Sequence, residues 1–280
     1  MQHYFANKLP NLFFLRQVKT IALLCALSFA LITYAQDSLL THGHAHNDYL
    51  HKRPLFDALS NGFTSIEVDV YLFNNKLVAS HLPIGLYNKK SMEELYLHPL
   101  DSIIRGNGGH VYEGSDAPLI LMVDFKEGGS VLYPPLQALL KKYEPLITLY
   151  QGDSIVRKGP LQILISGSKP VLADTINMVT LDMGLNALKL TAAQKHATRF
   201  SDNWNSHFTW NGKGPMPEAQ KQELDALIHR AHQLHKHIRF YHIPDKPKVW
   251  RTLLDAGLDW INTDKLKEFR RFYLTNYNQH

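Results

Sequence analysis

Cysteine is almost missing from this chain: among 280 residues there is one, Cys25. It falls in an apolar run from Ile21 to Tyr34 that follows Lys8, Arg16 and Lys19. Thr33-Tyr34-Ala35 then offers small residues at the −3 and −1 positions of a signal-peptidase site. Residues 1–35 therefore read as a cleaved signal peptide, and the mature domain is expected to run over residues 36–280 with no cysteine. That excludes disulfides, thiolate metal sites and a cysteine nucleophile. The run is about 14 residues, short of the ~20 that span a bilayer, so no stable membrane anchor is expected after cleavage. Cys25 follows Leu24 rather than a small residue, which argues against a bacterial lipoprotein site. The chain is expected to be exported, to a periplasm or the extracellular space.

Charge of one sign is lacking too. The formal net charge is +5, and losing the three basic leader residues lowers Lys+Arg from 30 to 27 against 25 Asp+Glu. No Lys/Arg block marks a nucleic-acid or membrane footprint, and no nucleic-acid partner is expected. Low-complexity linkers and internal repeats are also absent. With 45% apolar and 20% charged residues the chain can bury a large core, as one domain.

What is present is organised around Leu39 to His81, LLTHGHAHNDYLHKRPLFDALSNGFTSIEVDVYLFNNKLVASH. It reads as a strand at Ser38 to Thr41 leading into His44-Ala45-His46-Asn47-Asp48, a short helix at about Pro54 to Leu59, and a turn at Asn61-Gly62. A second strand, Thr64 to Leu72, and a hairpin delivering His81 follow. Alternation along the second strand puts Glu67 and Asp69 on one face and Ile66, Val68 and Val70 on the other. Two adjacent carboxylates are costly to bury without a cation between them, and oxygen ligands at this spacing suggest a hard divalent metal. An E-x-D pair alone also suits a solvated face; the apolar flanks here resemble a strand buried on both faces.

Beyond His81, apolar strands with polar ends alternate with helices. Ser91 to Arg105 reads as an irregular helix broken at Asn107-Gly108-Gly109. Pro118 to Phe125 is a strand ending in Asp124, a candidate third ligand, with Lys126 placed to neutralise a phosphate oxygen. Leu136 to Tyr143 reads as a helix and Leu161 to Ile165 as a strand, with Ser168 a candidate cap for a short helix. Met178 to Leu181 and Thr198 to Ser201 are strands leading into Asp182 and Asp202. Trp204 to Trp210 is an aromatic loop that suits either a pocket wall or a plug. Pro217 to Lys236 is the clearest helix, with His229, His232, His235 and His237 on its solvated surface. Strand Ile238 to His242, helix Lys248 to Asp255 and strand Leu258 to Asn262 follow. Thr263 is expected to cap the last helix.

This alternation predicts an α/β fold, a TIM-type (β/α)8 barrel of about eight units with its active site at the strand C-termini. The residues gathered there are His44, His46, Glu67, Asp69, His81, Asp124, Lys126 and Asp182.

HAHNDY, PLFDALSNGFTSIEVDVYL, VASH, VDFK, RFYHIPDKPKVWRTLLDAG and GLDWINTDKL resemble the glycerophosphodiester phosphodiesterase and phospholipase C-like superfamily. The likeness is strongest to the branch that includes the altered-inheritance-of-mitochondria proteins. The resemblance implies the phospholipase C-like barrel, with His46 and His81 as acid/base catalysts and Glu67, Asp69 and Asp124 as metal ligands. It further implies substrate contacts from Asn47 and Lys126. The chain departs from the glycerophosphodiesterase pattern in having Asn47-Asp48 where Arg-Gly follows the first histidine. This leaves His44, two residues away on the same side of the strand, as an alternative catalyst.

The expected function is metal-dependent cleavage of a phosphodiester, with a small-molecule or lipid substrate and Mg²⁺ or Ca²⁺ as cofactor. The attacker is water or a neighbouring substrate hydroxyl that closes a cyclic phosphate. Two rivals stand beside it. H-x-H also suits a zinc-dependent amidohydrolase or a polymerase-and-histidinol-phosphatase-type phosphoesterase, and a non-catalytic secreted binding protein suits the same scaffold.

Overall fold

The computed structural model describes residues 39–189 and 195–277. The expected leader, residues 1–35 with Cys25, lies outside the described residues.

Strand β1 (Leu40–Ala45) is followed by helix α1 (Phe56–Ser60), strand β2 (Phe63–Phe73) and strand β3 (Lys76–Ala79). Helix α2 (His98–Gly106), strand β4 (Leu119–Phe125) and helix α3 (Gly129–Lys141) come next. Strands β5 (Leu149–Gln151), β6 (Ser154–Arg157), β7 (Leu161–Gly167), β8 (Ile176–Asn177), β9 (Val179–Gly184) and β10 (Ala197–Asn203) lead to helix α4 (Glu218–Gln233). Strand β11 (His237–Tyr241), helix α5 (Pro247–Asp255), strand β12 (Trp260–Thr263) and helix α6 (Leu266–Asn276) complete the order. No helix among the described residues is long and apolar enough to cross a membrane.

Eight of these strands pair in parallel in the order β1-β12-β11-β10-β9-β7-β4-β2, and β2 closes onto β1. The result is the predicted TIM-type barrel of eight parallel strands, with β3 added antiparallel to β2; among the described residues no helix follows β7 and only a 3-10 turn (Leu185–Lys189) follows β9. The β2 pattern works as alternation dictates. Ile66, Val68 and Val70 join the continuous core with Leu100 of α2 and Leu132 and Leu136 of α3, while Glu67 and Asp69 turn the other way.

Several boundaries differ from the sequence reading for physical reasons. Strand β1 runs on to Ala45 because Gly43, His44 and Ala45 pair with β12, so His44 belongs to the strand and His46 stands just past its end. Helix α3 begins at Gly129, not Leu136, and carries Pro134 and Pro135 inside it. Burial of Leu132, Leu136, Leu139 and Leu140 outweighs the two lost backbone donors. No helix follows Ser168. Thr263 ends β12 rather than capping α6; its hydroxyl accepts the Lys265 N–H at 2.9 Å. The antiparallel sheet β6-β5-β8 was not anticipated, its strands being only two to four residues long. The aromatic loop is a plug: Trp204, Phe208 and Trp210 are buried, and Trp204 and Phe208 pack on Phe240 of β11. His229, His232, His235 and His237 are exposed as expected.

Candidate active site

The strand C-termini open into a cavity of about 490 Å³. Its lining brings together His46, Asn47, Glu67, His81, Asp124 and Lys126. Asp69, fully buried, lies just beneath, and Asp182, Ser166, Tyr241 and Arg239 add to the wall.

The carboxylates come from two paired strands. Asp69 of β2 stands in register with Asp124 of β4, and Glu67 precedes Asp69 on the same face. Oxygens of Glu67, Asp69 and Asp124 lie within 4.8 Å of one another. Gly167 at the end of β7 makes room for this corner. With φ at +69°, a Cβ there would meet Phe125 O at 2.3 Å and Asp124 Oδ1 at 2.7 Å. Ser166 donates to Asp124 Oδ1 at 2.7 Å. Lys126 bridges the pair, its Nζ 2.5 Å from Asp124 Oδ2 and 3.0 Å from Asp69 Oδ2. Asp69 Oδ2 also accepts from Tyr49 OH at 2.8 Å and stands 2.9 Å from His81 Nδ1. Asp69 Oδ1 is buried without a partner.

Burial and the neighbouring Glu67 charge raise the Asp69 pKa, against the opposing pull of Lys126 and His81. Glu67 goes the other way. Burial favours its neutral form, but the Arg239 charge and the His44 contact outweigh it and hold the carboxyl well below its ordinary range. Lys126 is held charged: burial disfavours the ammonium, and Asp124 and Asp69 prevail.

The two first-strand histidines separate. His46 lines the cavity, with Nδ1 2.8 Å from Asp264 Oδ1 and the Asn47 amide 3.2 Å from Nε2. Burial lowers its pKa, but the Asp264 hydrogen bond and the Glu67 charge win and raise it. His44 is fully buried and does not line the cavity. Its Nδ1 is 2.7 Å from Ser65 Oγ, and its Nε2 is 2.6 Å from Arg239 Nη1 and 2.9 Å from Glu67 Oε2. Nε2 thus meets a group that can only donate, Arg239, and one that can only accept, the Glu67 carboxylate, at the same point. Burial, then the Arg239 charge, lowers the His44 pKa well below the ordinary imidazole value, which fixes it neutral. Among the described residues, the one group of three His, Asp or Glu with metal-ligand spacing is Glu67, Asp69 and Asp124; no such group contains His44 or His46.

Sequence reasoning missed Arg239 and Asp264. Arg239 organises the barrel floor, donating from Nη1 to Glu67 Oε2 at 2.9 Å and Asn262 Oδ1 at 3.0 Å, and from Nε to Ser201 Oγ at 3.1 Å. Ser201 in turn donates to Asp182 Oδ2 at 2.7 Å. A charged residue between Ile238 and Phe240 was the available signal. Asp264 lies in the turn after β12, where a polar residue is ordinary. Asp48 of the HNDY run is structural: fully buried, its Oδ2 accepts Leu55 N–H at 2.5 Å and Tyr96 OH at 2.9 Å.

The mouth of the closed parallel barrel thus holds three carboxylates, a lysine and two histidines. The model of the AIM6-like phosphodiesterase domain matches residues 33–182, and the chain belongs to that family. The match spans every site residue anticipated from sequence, from His44 to Asp182; Arg239 and Asp264 lie beyond it. "Altered inheritance of mitochondria protein 6" of Kluyveromyces lactis is 26% identical over 304 residues, covering 84% of this chain and 73% of that protein. The homologue of that protein in Arthroderma benhamiae is 23% identical, covering 82% and 83% of the two chains. A glycerophosphodiester phosphodiesterase from Parabacteroides distasonis shares the fold, with a TM-score of 0.52, 14% identity, and 85% and 98% of the two chains covered.

Proposed function

We propose that this domain cleaves a phosphodiester by two-histidine acid/base catalysis beside a divalent cation held by Glu67, Asp69 and Asp124. The observation that carries the reading is the shared orientation of the two cavity histidines. Each has Nδ1 within 2.9 Å of a carboxylate, His46 on Asp264 and His81 on Asp69. A carboxylate at Nδ1 fixes the tautomer and turns Nε2 toward the cavity for proton transfer, with the Asn47 amide 3.2 Å from it at His46.

The metal-ligand residues fit a hard divalent ion. Their donors are all oxygens, and the unpartnered, buried Asp69 Oδ1 is an acceptor awaiting a cation. Mg²⁺ or Ca²⁺ bound there would offset charge developing on the phosphate's non-bridging oxygens. The Lys126 ammonium adds a second positive charge at the same corner, and the Asn47 amide provides a donor beside His46. One of the two histidines takes the proton of the attacking hydroxyl or water, and the other returns a proton to the leaving alkoxide. Asp264 holds His46 in place through both steps. The His44 imidazole takes no proton in this scheme; it packs behind Glu67 and keeps that carboxylate oriented. The leader expected at residues 1–35 supports a periplasmic or secreted setting.

The test is hydrolysis of bis-p-nitrophenyl phosphate with and without EDTA, alongside Glu67→Ala. Turnover that EDTA abolishes, that Mg²⁺ or Ca²⁺ restores and that the substitution removes is the expected result. Rescue by Zn²⁺ alone, or full activity in Glu67→Ala, contradicts the assignment.

A further inference from the structure

The catalytic cavity is not the only one that His81 lines. A second cavity, also about 490 Å³, lies on its other side. The two differ in chemistry. The catalytic cavity has charged and polar walls, whereas the second is walled by Leu50, Pro54, Leu82, Ile84 and Leu95, with Lys89 and Lys90 at its edge.

Its apolar side chains are not tucked away. Leu50 is 66% exposed, Leu82 56% and Ile84 73%, and Tyr87, in the turn beside the lining residue Asn88, is 75% exposed. Apolar groups gathered at one rim mark a surface that another molecule covers. Lys89 and Lys90 are exposed and make no salt bridge among the described residues. Protruding apolar residues beside exposed ammonium groups match the interface of an anionic lipid layer, which offers hydrocarbon and negative charge together. A groove meant for one free chain would enclose its apolar walls; these walls face outward.

We infer that the rim formed by Leu50, Leu82, Ile84, Tyr87, Lys89 and Lys90 docks on an anionic phospholipid bilayer. The hydrocarbon side of a phospholipid then lies in the second cavity, and its phosphodiester reaches the first past His81. This rests on the phosphodiesterase reading for what happens to the phosphate, and not for the docking itself.

The test reads docking without turnover. Tyr87→Trp is made in the full chain and mixed, in EDTA, with vesicles of phosphatidylglycerol carrying brominated acyl chains, which quench a tryptophan that enters the bilayer. Trp204, Trp210, Trp250 and Trp260 are buried, so the new indole at position 87 reports the rim. Ile155→Trp on β6, in the separate antiparallel sheet, is the control. Saturable quenching at position 87 and none at position 155 is expected. Adding Lys89→Glu/Lys90→Glu or Leu82→Ser/Ile84→Ser should weaken the apparent affinity at least tenfold. Both double variants should keep bis-p-nitrophenyl phosphate hydrolysis within twofold of the unsubstituted protein. Equal quenching at the two positions, or quenching that neither double substitution weakens, overturns the inference. Absence of diester hydrolysis with any metal, while rim quenching persists, would overturn the phosphodiesterase reading and leave the docking surface standing.

Discussion

His44 and His46 stand two residues apart at the end of β1, yet they occupy regions that differ in what governs imidazole chemistry. The barrel floor around His44 is densely bonded: Ser65, Glu67, Arg239, Ser201, Asp182 and Asn262 are buried with it and bonded to one another, and Glu67, Arg239, Ser201 and Asp182 also face the cavity, which His44 does not. The rim around His46 is open, its side chain 20% exposed and tied to a single acid that is itself 68% exposed. Burial fixes one imidazole neutral, and a carboxylate raises the pKa of the other. The comparison teaches that position in an H-x-H run does not assign a role. The number of partners and the access to solvent do.

The rim breaks furthest when its imidazoles are lost. His81→Ala should lower kcat/KM for bis-p-nitrophenyl phosphate by about 10²–10⁴-fold, with the melting temperature little changed. A loss under tenfold would remove His81 from the proton transfers.

The floor breaks through Arg239. Arg239→Met strips the buried Glu67 carboxylate of its cation, and urea denaturation should show a loss of about 3–5 kcal/mol. A loss below about 1 kcal/mol would mean that floor and rim are less distinct than the geometry implies.

Asp48 sharpens the contrast as a buried acid without a cation. Burial raises its pKa from 3.8 to about 6, against the pull of the Leu55 and Tyr96 hydrogen bonds. The folded state therefore holds a proton between those values that the unfolded chain releases, and stability falls as pH rises through that window. Asp48→Asn keeps an acceptor and removes the charge. It should flatten this loss and stabilise the protein at pH 7.5 by roughly 1–3 kcal/mol, read from denaturation curves between pH 4 and 8.

The smallest effect belongs to the exposed Asp264. A histidine with a raised folded pKa contributes stability that is full below its unfolded value and is lost as pH rises through the folded value. Asp264→Asn should remove less than about 1 kcal/mol at pH 5.5. An NMR titration should show the His46 pKa moving down. An unmoved titration would deny Asp264 its orienting role.

Most of the barrel was legible because its strands are apolar runs with polar ends, and period-two alternation alone oriented Glu67, Asp69 and Val68. Of the residues anticipated at the strand ends, all but His44 line the cavity or, like Asp69, lie against it. What stayed hidden depends on contacts distant in sequence. Arg239 reaches Glu67 and His44 only because β11, β12, β1 and β2 are neighbours in the closed sheet. Asp264 meets His46 for the same reason. The start of α3 was hidden by Pro134-Pro135, whose local preference is overruled by packing, and β5, β6 and β8 are too short to show a period.

The most direct test compares His44→Ala with His46→Ala at a temperature where both are folded, measuring bis-p-nitrophenyl phosphate turnover per folded molecule. His46→Ala should be nearly inactive, with a melting temperature close to that of the unsubstituted protein. His44→Ala should melt lower and keep turnover within about tenfold, as a buried packing residue would. An inactive but fully stable His44→Ala, beside an active His46→Ala, would contradict the division of floor from rim.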